Sequence, residues 1–341
     1  MKVASGMAAG QRPQPELAAA AVTAALAKAG LEQAGRVILF LSRDFQRDPR
    51  AALLAAARAA GCLDISGCTA EGVFSDEGWR LDQSAAVALV IAAPSATKTA
   101  ESRHRLSFTA HSTLPFDWRR PPQRVGILSS EAAVWAHGRV QESGNAEFDL
   151  RGVQSRLVIS TGLRPLGESL TVDACRSHDL LKIDGQTALD TLRRHLPGER
   201  RQRLAVHHFA AIRRAGDPGV AILAANDDGS LTMAEAFTPG ETLRWAMRQP
   251  QGAEQEMSET LSAAVSGEKM PDFAIMFSCI GRGPLFYGDQ DRDLAIFHQQ
   301  LPATPLIGAY GGGQIAPGCT GNCLFQNSVL TLLCESTDVQ P

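Results

Sequence analysis

Two stretches of the chain run through the same order of apolar and polar positions. VILFLS (Val37–Ser42) is an unbroken apolar run, followed by the helix-like RAALLAAARAAG (Arg50–Gly61) and then DISGCTAEGVF (Asp64–Phe74). Near the other end, FAIMFSC (Phe273–Cys279) is followed by RDLAIFHQQLP (Arg292–Pro302) and TPLIGAYGGGQI (Thr304–Ile315). Runs this short and this apolar are strands buried on both faces, and each pair is bridged by a helical period. Both stretches therefore predict a strand–helix–strand unit with parallel strands and a right-handed crossover. Each ends in a Gly-rich turn. At one fixed offset Gly67 matches Gly308, Gly72 matches Gly313 and Phe74 matches Ile315. Two related turns of this kind would face each other across one cleft.

The intervening pattern supplies further elements. Pro15 opens a helix that Gly30 closes, and Asp48-Pro49 with Gly61 bracket the next one. Ala85–Ala92, Arg124–Leu128, Ala132–Trp135, Ser155–Thr161, Leu180–Ile183, Thr242–Met247 and Asn327–Cys334 read as strands. His137-Gly138 and Asp184-Gly185 are turns, and Asn226–Ser230 is the loop of a hairpin. Gly162–Gly167 reads as a Gly-bounded turn fixed by Pro165, Gln186–Leu196 as a helix stopped by Pro197, and Gly252–Val265 as a helix. Helix-bridged units mixed with hairpins imply an α/β protein with mixed sheets, in two structurally related halves.

Composition narrows the class. Hydrophobic residues make up 44% and charged residues 20% of 341 residues, as in a soluble globular protein. A net charge of -3 gives no basic face for nucleic acid. The longest uncharged apolar run, Ala85–Pro94, is far short of the roughly 20 residues that span a membrane. An odd count of seven cysteines without disulfide spacing favours a reducing cytoplasm.

The candidate chemistry is ligand binding. Gly308–Gly313 holds four glycines in six positions, so that backbone N–H groups could approach an anion. It is neither a phosphate-binding P-loop, lacking Gly-Lys-Ser/Thr, nor a dinucleotide fingerprint, since Pro317-Gly318 forbid a following helix. Ser278-Cys279-Ile280-Gly281-Arg282-Gly283 lies at the carboxyl end of a strand, where α/β sheets place ligands, and Arg282 suits a carboxylate. Glu71 suits an ammonium group, and Arg164 is a second candidate for a carboxylate. Cys279, with Cys68 in the matching turn, is a candidate nucleophile, but none of the eight histidines is spaced as its base. Cys319 and Cys323 lack the further ligands a zinc site needs. His207-His208, read as part of a strand, would point to opposite faces. One of them would suffice as an axial haem ligand.

GCTAEG (Gly67–Gly72), GLRPLG (Gly162–Gly167), IDGQTALDTL (Ile183–Leu192), NDDGSL (Asn226–Leu231), TPGETL (Thr238–Leu243), FSCIGRG (Phe277–Gly283) and PLIGAYGGGQI (Pro305–Ile315) occur in this order over most of the chain. In these segments the chain resembles the FIST family of sensory proteins. The resemblance implies a flexible start at residues 1–14, a FIST N-like domain at 15–205, a FIST C-like domain at 206–336 and a tail at 337–341. It implies reversible binding of a small molecule such as an amino acid, with a separate signalling protein as partner and no cofactor. Some members resemble nitric-oxide-sensing haem proteins, which leaves haem as an alternative; a cysteine-dependent hydrolase or transferase is another. The expected ligand contacts are Cys68, Glu71, Arg164, Cys279, Gly281, Arg282, Gly283, Tyr310, Gly311, Gly312, Gly313 and Gln314. In this reading Arg282 and the N–H groups of Gly311–Gly313 hold an anionic end.

Overall fold

A computed structural model describes residues 1–93, 102–196 and 205–337. Contacts divide the chain into two compact units: Met1–Ser160 with Met257–Pro341, and the inserted stretch Thr161–Glu256. The sequence reading instead breaks the chain once, between residues 205 and 206.

Among the described residues, the discontinuous unit contains three sheets. The first orders β1 (Val3–Gly10), β6 (Ser84–Ile91), β2 (Arg36–Ser42), β3 (Ile65–Ala70), β9 (Val134–Ala136) and β10 (Arg139–Val140). Val37, Leu39 and Leu41 of β2 pack under the helices Pro15–Ala29 and Pro49–Ala60, while Ile38 and Phe40 face a second core. Burial on both faces explains the unbroken apolar run. The second sheet orders β12 (Val153–Ser160), β24 (Val329–Ser336), β20 (Phe273–Cys279), β21 (Leu306–Gly311), β4 (Gly72–Ser75) and β5 (Gly78–Arg80). The third orders β11 (Asn145–Asp149), β7 (Arg105–Thr109), β8 (Arg124–Leu128), β22 (Gly313–Gly318) and β23 (Gly321–Phe325). One aromatic from each sheet meets at the centre: Phe40 lies 5.6 Å from Phe108 and 5.9 Å from Phe277, edge to face. Such pairs add about 0.5–1.5 kcal/mol each to their burial.

Both predicted strand–helix–strand units are present. β2 pairs β3 in parallel, Val37 opposite Ile65, and β20 pairs β21 in parallel, Ala274 opposite Leu306. Each pair is flanked by the same scheme, β1–β6–β2 antiparallel in one sheet and β12–β24–β20 in the other. The fold is therefore α/β with mixed sheets.

The inserted unit is an antiparallel sheet in the order β13 (Leu163–Arg176), β19 (Thr242–Arg248), β16 (Phe209–Ile212), β17 (Val220–Ala225), β18 (Leu231–Met233), β14 (Asp179–Ile183) and β15 (Gln186–Thr187). A further β13–β14 pairing closes it into a barrel. The barrel core includes Val172, Ile183, Leu192 and Trp245. The helix Ala188–Arg194 docks there, its Thr187 cap accepting the Asp190 N–H and its Thr191 Oγ1 accepting the Trp245 indole at 3.1 Å.

Several expectations are corrected. Residues 1–14 are not a loose start, since Val3–Gly10 pairs along its whole length with Ser84–Ile91. Gly162–Gly167 is not a turn. Gly162 and Gly167 do take positive φ (67° and 61°), but Leu163–Leu166 pair with Trp245–Arg248, and a register shift between Leu166 and Leu170 absorbs Gly167. His207 and His208 lie in a 3-10 turn, not a strand, with exposed rings 4.2 Å apart. Asp48 precedes its helix without a side-chain cap. Pro197 and the tail after Thr337 lie outside the described residues.

Candidate functional site

The carboxyl ends of β3, β8, β20 and β21 converge. The Glu71 N–H donates to the Tyr310 carbonyl at 3.1 Å, and β4 then pairs with β21, Gly72 opposite Tyr310. The two Gly-rich segments are thus hydrogen-bonded neighbours in one sheet rather than turns facing each other across a cleft. Gly308 admits the Phe74 ring where a Cβ would stand, and a Cβ on Gly283 would lie 2.9 Å from the Tyr310 ring. At these positions glycine serves close packing.

Glu71 is half-buried at this junction. Its carboxylate accepts the Ser129 hydroxyl at 2.8 Å, and Ser129 follows Leu128, the partner of Gly313. Burial raises its pKa, opposed by the Ser129 bond and by the Arg43 charge. Arg43 lies at the carboxyl end of β2 and pairs with Glu131 at 3.5 Å. Beside it opens a cleft of about 610 Å³ lined by Pro13 and residues 43–48.

Gln314 is fully buried, yet neither Nε2 nor Oε1 has a hydrogen-bond partner among the described residues. Its cross-strand partners are Ile127 and Phe325, both core residues, so its amide projects from β22 into an apolar face. Two residues before it, Gly312 is exposed between buried Gly311 and Gly313. Asn327, at φ 55°, also has an unpaired Nδ2.

Arg282 is not available to a ligand in this conformation. It is 0% exposed; Nε and Nη2 donate to Asp293 at 3.0 and 2.9 Å, and Nη1 and Nη2 donate to the carbonyl and hydroxyl of Ser160 at 3.0 and 2.7 Å. The expectation that it clamps a ligand carboxylate is corrected, because an internal carboxylate already holds that position. Tyr287 donates to Asp293 at 3.1 Å, and the Tyr310 hydroxyl donates to Asp291. Burial, with the neighbouring Asp293 charge, pushes the Asp291 carboxyl up to about 6. Burial and Asp291 together hold the Tyr310 hydroxyl well above its ordinary range. Asp291 also caps the helix Arg292–Gln300 by accepting the Leu294 N–H at 2.9 Å.

Cys279 is 7% exposed at the end of β20, its N–H donating to the Ser328 carbonyl and its own carbonyl accepting from Arg282 and Gly283. Cys68 is buried on β3, where desolvation pushes its thiol well up, the opposite of an activated nucleophile. Gly281 is exposed. Arg164 is exposed on β13 in the inserted unit. No group of three or more metal-ligating side chains occurs among the described residues. Sequence reasoning missed Ser129, Asn327, Asp291, Asp293 and Arg43. The acidic run Asp289–Asp293 was the one visible signal of a buried partner for Arg282.

The family model of the FIST C domain matches residues 188–317 of this chain. Uncharacterized protein Mb0898c of Mycobacterium bovis is 26% identical over 201 residues, covering 54% of this chain and 52% of its own length. Uncharacterized protein MT0656 of Mycobacterium tuberculosis is 25% identical over 199 residues with the same shares. The chain spans about half the length of the curated relatives it matches. The FIST domain family suggests a sensory, small-ligand-binding role. No helix among the described residues is long and apolar enough to cross a membrane.

Proposed function

We propose that the chain is a cytoplasmic sensor that reversibly binds a small polar ligand, an amino acid or related amine-bearing carboxylate, at the carboxyl ends of β2, β3, β8, β20 and β21 and the start of β22. A separate signalling protein reads the bound state. The observation that carries this reading is the Gln314 amide, whose two buried polar atoms have no hydrogen-bond partner among the described residues. An unpaired buried amide costs about 1–3 kcal/mol, which a ligand returns by bonding to it. Exposed Gly312 gives the route in. Glu71 suits the ligand's ammonium group, and Arg43 replaces Arg282 as the cation for its carboxylate. The adjoining cleft has the size of a small-molecule site. Opening the Gly311–Gly313 edge to admit a ligand shifts β21 and β22 between two states, as a sensor requires. An odd count of seven cysteines suits a reducing compartment.

The test is a thermal-shift screen of free amino acids and carboxylates on wild type, Glu71→Gln and Gln314→Leu. A ligand at about a hundredfold over its Kd stabilises the fold by about 2.7 kcal/mol. A shift with one chemical class, lost in both variants, supports the reading. A shift that persists in both places the site elsewhere, and a flat response across the panel removes the amino-acid class.

A further inference from the structure

At the opposite, amino ends of the strands lies a polar cleft of about 360 Å³. Arg36 opens β2, Arg105 opens β7, Asp64 precedes β3, and Asp149 closes β11, the antiparallel neighbour of β7. Arg36 Nε donates to Asp64 at 2.7 Å and its Nη1 to the Asp149 carbonyl at 2.6 Å. Arg105 makes a two-pronged contact to Asp149 at 3.0 and 3.2 Å. Behind them Arg124, 6% exposed, donates to Glu147 at 2.7 Å. Each of the three carboxylates is thus held by a guanidinium.

Both hydrogen bonds to Glu147 fall on Oε1, which leaves Oε2 as an acceptor, and the other uncommitted side-chain groups of the cleft include guanidinium donors. Arg36 Nη2 and the exposed guanidinium of Arg151 make no hydrogen bond to the described residues. His137 is tied through Nδ1 to Asp64 at 2.8 Å, which leaves Nε2 as its unbonded ring atom. His137 sits at φ 51°, uncommon for a residue with a side chain. It is held there by its N–H on Ser66 Oγ at 3.1 Å and by the Gly138 N–H on the Ile65 carbonyl at 2.7 Å. Four arginines thus stand against three carboxylates, two of them with donor groups to spare, beside a histidine fixed by one of those carboxylates.

We propose that this cleft binds an oxyanion of the phosphate class. Arg151 and Arg36 Nη2 hold its oxygens, and His137, whose Nδ1–H is held by Asp64, donates a third bond from Nε2 in its doubly protonated imidazolium form. Guanidinium groups fit tetrahedral oxyanions because their donors are planar and forked. The cleft has room for about a dozen waters at liquid density, more than one phosphate fills, so a phosphate ester is accommodated as well as the free ion.

The experiment is calorimetric titration of the full chain with inorganic phosphate and, separately, with glycerol 3-phosphate, with glycerol as the uncharged control. Arg151→Ala removes an exposed side chain and leaves the fold unchanged, which its unfolding midpoint checks; His137→Gln keeps ring-sized bulk. Saturable binding with a Kd below about 1 mM, weakened tenfold or more in Arg151→Ala and also in His137→Gln, supports the site. Tighter binding of the ester assigns a phosphorylated metabolite, and equal binding assigns the free ion. No saturable heat with either anion, or binding unchanged in both variants, overturns the proposal.

Discussion

Replacing Gln314 by leucine should make the ligand-free protein more stable, the reverse of what changing a fully buried residue usually does. Leucine has nearly the volume of glutamine and meets Ile127 and Phe325, the cross-strand neighbours that now face an unpaired amide. The exchange removes two desolvated polar atoms and adds apolar contact. Lifting the penalty of an unsatisfied buried group is worth about 1–3 kcal/mol. For a unit of this size, each kcal/mol moves the thermal midpoint by about 2–4 °C. Urea unfolding followed by tryptophan fluorescence reads the effect. Trp79, Trp118 and Trp135 report on the discontinuous unit, and a Trp245→Phe background silences the barrel. A Gln314→Leu protein that is less stable than wild type by 1 kcal/mol or more would refute the reasoning, because the amide would then be satisfied in solution and have no need of a ligand.

Two further predictions concern the charge network beneath Tyr310. Arg282→Ala should not behave as a mild binding mutant; stranding Asp293 in a dry interior should cost about 3–5 kcal/mol, visible as a collapse of the urea midpoint, and an unchanged midpoint would return Arg282 to the list of ligand contacts. Asp291 binds its proton more tightly in the folded chain than in the unfolded one. Its contribution is therefore complete below its ordinary 3.8 and lost as pH rises through about 6. Buried His104, lowered to about 4, acts in an overlapping window with the opposite sign. The difference between wild type and Asp291→Asn cancels it, and that difference should change by up to about 3 kcal/mol between pH 4 and 6; a flat difference would mean that Asp291 is not buried as an acid.

Much of the fold is legible where burial leaves a mark on composition. VILFLS and FAIMFSC could only be strands covered on both faces, and Pro15 with Gly30 bracket the first helix to the residue, Gly30 at φ 60°. β1 was illegible because VASGMAAG is nearly all small. A Cβ on Gly6 would collide with the Ala21 carbonyl, so the closely laid helix Pro15–Ala29 requires the very residues that disguise the strand. β13 was hidden by Gly162, Pro165 and Gly167, which normally punctuate loops. At the candidate site the glycines and arginine were conspicuous, but their partners were not. Asp293 lies 11 residues from Arg282, and Ser160 lies 122 away. That pairing depends on how the chain folds back, which local pattern does not encode. Gln314 was picked out by its place beside three glycines; its lack of a partner is a property of the packed core.

The discontinuity of the larger unit sets an order for its birth on the ribosome. Thr161–Glu256 is one unbroken stretch with a closed sheet, so all its strands are present as soon as it is made. The segment translated before it must wait. β12 has β24 as its neighbour, β4 needs β21, and one edge of β8 is covered by β22. Until the last of these emerges, a nascent chain carries three open strand edges beside a folded barrel. Unpaired edges recruit other chains, so the interval between completing β19 and completing β24 is when this protein most needs a chaperone.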